Sequence, residues 1–138
     1  ERTLLIGYSL EAWRARPLTG VGAGAFVQWA ARDTGAGLPF EPVHNIPLLI
    51  LAETGLVGLA AALALAGAWA GRVWGRRGAA SAAEAAWAAA LAGAGVIGLF
   101  DHTWWTQAPA RTLLVIALAL WAGMETKSPA PGGASPTG

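Results

Sequence analysis

Cysteine is absent from this chain, which excludes disulfides and thiolate metal sites and leaves the redox compartment open. Charge is scarce too: charged residues make up 12% and the net charge is +1. So slight a balance leaves no basic stripe to track phosphates, and nucleic acid is excluded as a partner. Outside the tail the serines are Ser9 and Ser81, so no nucleophile elbow is available. The carboxylates near His44 and His102 are Glu41 and Asp101, and these spacings match no standard zinc pattern, so no metal is expected. The first residue is Glu rather than Met, and no signal peptide precedes the polar opening. The chain therefore reads as a fragment whose amino-terminal portion is missing.

What is present suits a membrane. Apolar residues make up 55%, and 8 tryptophans is a large number for 138 residues. Alanine and glycine are abundant, as expected where helices pack closely in lipid. The expected fold is all-α: an integral membrane helical bundle with about three transmembrane helices, preceded by an outer amphipathic helix and loop.

Residues 1–16 read as that amphipathic helix, with Leu4, Leu5, Tyr8 and Ala12 at helical spacing and Trp13 beside them. Arg2, Ser9, Glu11 and Arg16 fall largely elsewhere, and Pro17 ends the helix. Gly20, Gly22 and Gly24 then alternate. A dinucleotide fingerprint would need a strand before them, and no strand pattern precedes Gly20. These glycines are expected to let the backbone turn tightly and lie close to another element. The stretch 27–43 is a loop after one short helix around Phe26 to Arg32.

The first span is expected at 46–70, long enough for a bilayer core of about 30 Å. Asn45 is a good helix N-cap and Pro47 is tolerated in the first turn, which holds His44 at the helix entrance. Glu53 is the ionisable residue of this span and should face protein or a wet cavity. Its readings are a buried hydrogen bond between helices or a substrate contact. Gly67 and Gly71 have the spacing of a close helix contact. Arg72, Arg76 and Arg77 form a short loop, cytoplasmic by the positive-inside rule. A second span is expected at 80–100, and an outer return turn at 101–107 whose Trp104 and Trp105 suit a headgroup-level belt. A third span follows at 109–124, short enough that Arg111 snorkels or the helix starts nearer Trp104. Residues 125–138 read as a disordered cytoplasmic tail. This topology makes 1–45 extracytoplasmic and gathers His44, Arg2, Arg14, Arg16 and Arg32 on one face.

Arginine binds phosphate through a fixed fork of donors, and histidine exchanges protons near neutral pH. Together at a membrane surface they suit a lipid-linked phosphate or diphosphate. Plainer roles stand beside this one: His44 as a structural residue at a helix entrance, Arg14 and Arg16 as headgroup contacts, Asp101 and His102 as caps or closure of the outer mouth.

One motif narrows the choice. His44-Asn45, nine residues from Ile46 to Thr54, and Gly55-Leu56-Val57-Gly58 match position for position the His-[Asn/Ser/Gln]-x9-Gly-x-x-Gly pattern of the O-antigen ligases. Arg2, Trp13, Pro17-Leu18-Thr19-Gly20-Val21-Gly22 and Phe26 look like that family's upstream segment, and Arg14 with Leu18 matches its Arg-x-x-x-Leu pattern. Gly98-Leu99-Phe100-Asp101-His102 with Trp105 looks like its last outer turn. The chain thus resembles the carboxy-terminal part of the O-antigen ligase and polymerase family of bacterial membrane glycosyltransferases.

The resemblance implies a multi-pass inner-membrane enzyme that moves a glycan from undecaprenyl diphosphate to an acceptor hydroxyl or amide on the outer face. The acceptor would be lipid A-core, a polysaccharide or a protein, with neither metal nor cofactor required. His44 and Arg2 would be catalytic; Arg14, Arg16 and Asn45 would bind substrate. The family's full complement of spans is larger, so the fragment alone is expected to be inactive. The competing class is a non-catalytic membrane scaffold or a transporter-like module.

Overall fold

A computed structural model describes residues 2–34 and 41–124; the expected disordered tail lies outside them. Among the described residues six helices follow in order: α1 (Arg2–Ala15), α2 (Phe26–Thr34), α3 (Ile46–Arg76), α4 (Ala82–Gly98), α5 (Thr103–Thr106) and α6 (Ala108–Met124). No strand occurs among the described residues. The 31-residue α3 is long and apolar enough to cross a membrane, and α4 and α6 are shorter apolar helices. Only 28% of the most apolar window of α3 is buried. A soluble core helix would be mostly covered, so this face belongs to lipid or to neighbouring helices, and the fold is a membrane-type helical bundle.

The core gathers at one end. Leu5 and Ala12 of α1, Phe26 of α2, Val43, and Leu49 and Ala52 of α3 form one buried cluster. The buried stripe on α1 is Leu5, Ser9 and Ala12, not the expected Leu4, Leu5, Tyr8 and Ala12. Leu4 is 65% exposed, whereas the Ser9 hydroxyl is buried and donates to the Leu5 carbonyl at 2.7 Å. That internal bond satisfies the hydroxyl, so a polar residue fits the stripe.

The largest correction concerns α3, which is not one straight span. Gly55 has φ 68° and ψ −163°, a conformation that breaks the helix into 46–54 and 56–76. A break forfeits two helical bonds, Leu56 N–H to Ala52 C=O and Val57 N–H to Glu53 C=O. The segment 17–22 replaces them from outside. Leu56 N–H donates to Pro17 C=O at 2.9 Å and Val57 N–H to Leu18 C=O at 3.3 Å. The freed carbonyls of Ala52 and Glu53 accept from Val21 N–H at 3.0 Å and Gly22 N–H at 2.9 Å. The strap lies so close that a Cβ on Gly20 would strike the Glu53 backbone, and one on Gly55 would strike Leu18. The expectation of tight turning and close approach for the strap glycines is met here, with Gly20 at φ 66°.

The glycine pair in the motif therefore has a different use from a helix contact. Gly55 makes the break, and Gly58 leaves room for the Thr54 side chain. Gly67 and Gly71 face open space among the described residues, contrary to the expected close contact.

The break also resets the membrane geometry. Residues 56–76 rise about 31 Å at 1.5 Å each, close to the hydrocarbon thickness of about 30 Å. Asn45 Nδ2 donates to the Leu99 carbonyl at 2.9 Å, and Arg76 meets Glu84 at 2.7 Å. From Glu84 to Leu99 the helical rise is only about 23 Å, whereas a straight helix over 46–76 would rise about 45 Å. The halves of α3 are not collinear. Glu53 thus sits beside the break and not deep in a continuous membrane helix.

At the opposite end α3 runs past the expected boundary to Arg76, so Arg72 and Arg76 are helical rather than in a loop. Ser81 and Glu84 form a capping box that starts α4. Trp69 of α3 meets Trp121 of α6 edge-on, with centroids 6.3 Å apart. Between α4 and α6 the turn is itself helical, as α5, and Arg111 Nη1 donates to the Trp105 carbonyl at 3.2 Å.

Substituting Gly55 by Ala should destabilise the protein by roughly 2–4 kcal/mol, from the forbidden backbone region and the collision with the strap. Gly67→Ala, in open helical space, should stay within about 1 kcal/mol of wild type. Thermal melts of the two variants in the same detergent check the contrast.

Candidate active site

The entrance of α3 is built by Asn45. Its backbone is extended, and its Oδ1 accepts from Leu48 N–H at 2.8 Å. Its Nδ2 reaches the end of α4 at Leu99. Both ends of the amide are thus bonded inside the fold, and Asn45, expected to bind substrate, fixes where His44 stands.

His44 is half-buried, with 26% of its side chain exposed. Its ring lies beside that of His102, centroids 4.9 Å apart and planes tilted by 44°. Its Nε2 is 3.5 Å from Glu41 Oε2, a long and largely exposed contact that contributes little to stability. His102 in turn shares a hydrogen bond of 2.8 Å between Nδ1 and Thr106 Oγ1. Asp101 completes the cluster. It accepts from both the hydroxyl and the N–H of Thr103, and these bonds hold its carboxyl below the usual range, with positive charge on His102 and then His44 acting the same way.

Glu53 supports this end from beneath. It is buried, 4% exposed; Oε1 faces the Phe26 N–H at the start of α2 at 3.4 Å, and Oε2 accepts from Trp105 Nε1 at 3.0 Å. One carboxylate joins α2, α3 and α5. Of the two readings of Glu53, the geometry realises the hydrogen bond between helices.

The arginines are distributed differently. Arg2 is exposed in the first turn of α1, and Arg14 is exposed in its last. The α1 stripe covers the 46–54 half, and the residues after α1 are tied to the break, so Arg2 lies at the end remote from the break. Arg16 lines a separate concavity with Trp29 and Arg32. Among the described residues no ion pair joins any of the three to His44. The ring that the fold brings against His44 is that of His102.

Within the described residues no cluster of three metal-ligating side chains occurs. The arrangement offers a partly exposed imidazole at a bundle end, beside a second imidazole and a carboxylate, with cations on the adjoining helix. That is proton-transfer and anion-binding chemistry. Residues 1–63 match the O-antigen ligase family model. The match bears out the resemblance of the His44 motif, and it spans α1, the strap, α2, the broken entrance and the first turns beyond it. No curated protein and no solved structure matches the chain.

His102 and Trp105 were legible as part of a motif, but nothing in their spacing announced contacts to His44 and Glu53 more than fifty residues earlier. Arg32 and Trp29 carried no motif at all.

Asp101 yields a pH test. A carboxylate held below its ordinary value of about 3.9 adds stability that is complete above that pH and is lost as pH falls through the lowered value. The stability gap between wild type and Asp101→Asn should shrink as pH falls below about 4. Melting temperatures measured across that range decide it.

Proposed function

We propose that the chain forms the transfer site of a lipid-linked oligosaccharide glycosyltransferase of the O-antigen ligase or polymerase type. The observation that carries this reading is the partly exposed His44 at a rigidly capped helix entrance, inside the stretch that matches the ligase family. The donor is a glycan on undecaprenyl diphosphate, and the acceptor is lipid A-core, a growing polysaccharide or a protein. The His44 end faces the periplasm of the inner membrane and the Arg72–Arg76–Arg77 end the cytoplasm, which accords with the positive-inside rule.

His44 removes the proton from the acceptor hydroxyl as its oxygen attacks the anomeric carbon. The bond from that carbon to the diphosphate oxygen breaks with inversion, and undecaprenyl diphosphate leaves with the electron pair. Asn45 and His102 position the imidazole. Arg2, and secondarily Arg14, neutralise the charge that grows on the leaving diphosphate, where positioned cations matter most. Neither a metal nor a cofactor takes part in this scheme.

His44→Ala should lower transfer by about 10²–10⁴-fold, the usual contribution of a placed base. Arg2→Lys should also impair it, because an ammonium cannot reproduce the bidentate fork. Transfer from a lipid-linked donor, measured with the native membrane protein, tests both; normal rates in His44→Ala would refute the base role. Glycan chain length and attachment in a deletion strain separate ligase from polymerase.

A further inference from the structure

The concavity beside the strap is unused by the scheme above. It measures about 180 Å³ and is lined by Arg16, Val21, Ala25, Gln28, Trp29 and Arg32. Its construction follows from the strap. Gly20 N–H closes a turn on the Arg16 carbonyl at 2.8 Å, and Ala25 N–H closes another on Gly22 at 3.0 Å. These turns fold α2 back against the residue that follows α1. Ala25, Gln28, Trp29 and Arg32 then share one face through three- and four-residue spacing. Arg16 reaches the same hollow from the strap side.

The lining reads as a recognition set. Arg16 and Arg32, both exposed, line the hollow from different segments, and among the described residues no carboxylate lines it and no ion pair joins either arginine to one. Guanidinium forks suit phosphate or carboxylate oxygens. Trp29 packs on the core with part of its surface in the hollow, which fixes an apolar platform for one ring face. Gln28 adds an amide that both donates and accepts. The volume is below the roughly 300 Å³ at which drug-sized pockets begin, so one ring with its anionic group fits, not a chain.

We infer that this hollow is an anion-plus-ring subsite that binds a saccharide unit bearing a phosphate or carboxylate, with Arg16 and Arg32 on the anion and Trp29 under the ring. That the ring is a saccharide rests on the transferase reading; that the hollow takes an anion rests on its two arginines alone. The subsite lies apart from His44 and selects an acidic sugar of the donor or acceptor rather than reacting with it.

The test is binding to the native membrane protein in nanodiscs, with glucose 6-phosphate, glucuronate, glucose and inorganic phosphate as probes. The two acidic sugars should bind saturably, and glucose at least tenfold more weakly. Arg32→Gln should weaken the acidic sugars at least tenfold. Trp29→Leu should abolish the preference for glucose 6-phosphate over inorganic phosphate, while Arg32→Lys keeps part of the affinity. His44→Ala should leave all four affinities unchanged while transfer is lost, which keeps this subsite's failure distinct from that of the catalytic proposal. Equal binding of glucose and glucose 6-phosphate, no binding by either acidic sugar, or affinities indifferent to Arg32→Gln would overturn it. Binding of phosphate and both acidic sugars with no ring preference would overturn the saccharide part.

Discussion

Four backbone hydrogen bonds between the strap and the broken α3 set the rest of the structure. A helix interrupted at Gly55 leaves two carbonyls and two N–H groups without partners, and in a membrane-type bundle water cannot be relied on to satisfy them. The strap meets all four, two as acceptor and two as donor. It can do so only because both chains drop their side chains at the crossing: Gly20 against Glu53, Gly55 against Leu18. The motif glycine and the strap glycine are therefore one device, although they stand far apart in the chain.

That crossing positions everything polar at this end. The strap turns α2 so that its first N–H faces Glu53, and Glu53 reaches on to Trp105. Burying a carboxylate is costly unless its oxygens are bonded, and here each oxygen faces a donor from a different helix. The three elements are consequently held in one relative position, and α5 brings His102 against His44. Asn45 pins the same entrance to the end of α4. The imidazole is thus placed by groups that are themselves bonded to other helices.

Local signals made much of this readable in advance. Apolar runs, Asn45 with Pro47, and Pro17 mark where helices start and stop, and the helices stand close to those places. What could not be read was the break. An apolar run containing glycine is compatible with a continuous helix, and the cost of interrupting it is offset only by the strap, a partner more than thirty residues away in the chain. The same limit hid the α1 stripe: Ser9 counts as polar by composition, yet its hydroxyl is satisfied within its own helix and so can be buried. For the site, His44 was visible through its motif, whereas its neighbour His102 depends on the return of α4 and α5 to the entrance of α3.

The distribution of these parts says how the site is assembled. The stretch that matches the ligase family ends at residue 63, and it contains the strap, the break, His44, Arg2, Arg14, Arg16 and Arg32. It does not contain all the groups that hold His44 in place. Leu99 anchors Asn45, Trp105 anchors Glu53, and His102 packs on the imidazole. Those come from the hairpin of α4, α5 and α6, whose far end is held by Arg76 with Glu84 and by Trp69 with Trp121. The span 56–76 is therefore more than an anchor in lipid. It separates the two ends by a fixed rise, and the hairpin returns across that rise to brace the entrance from which the chain set out.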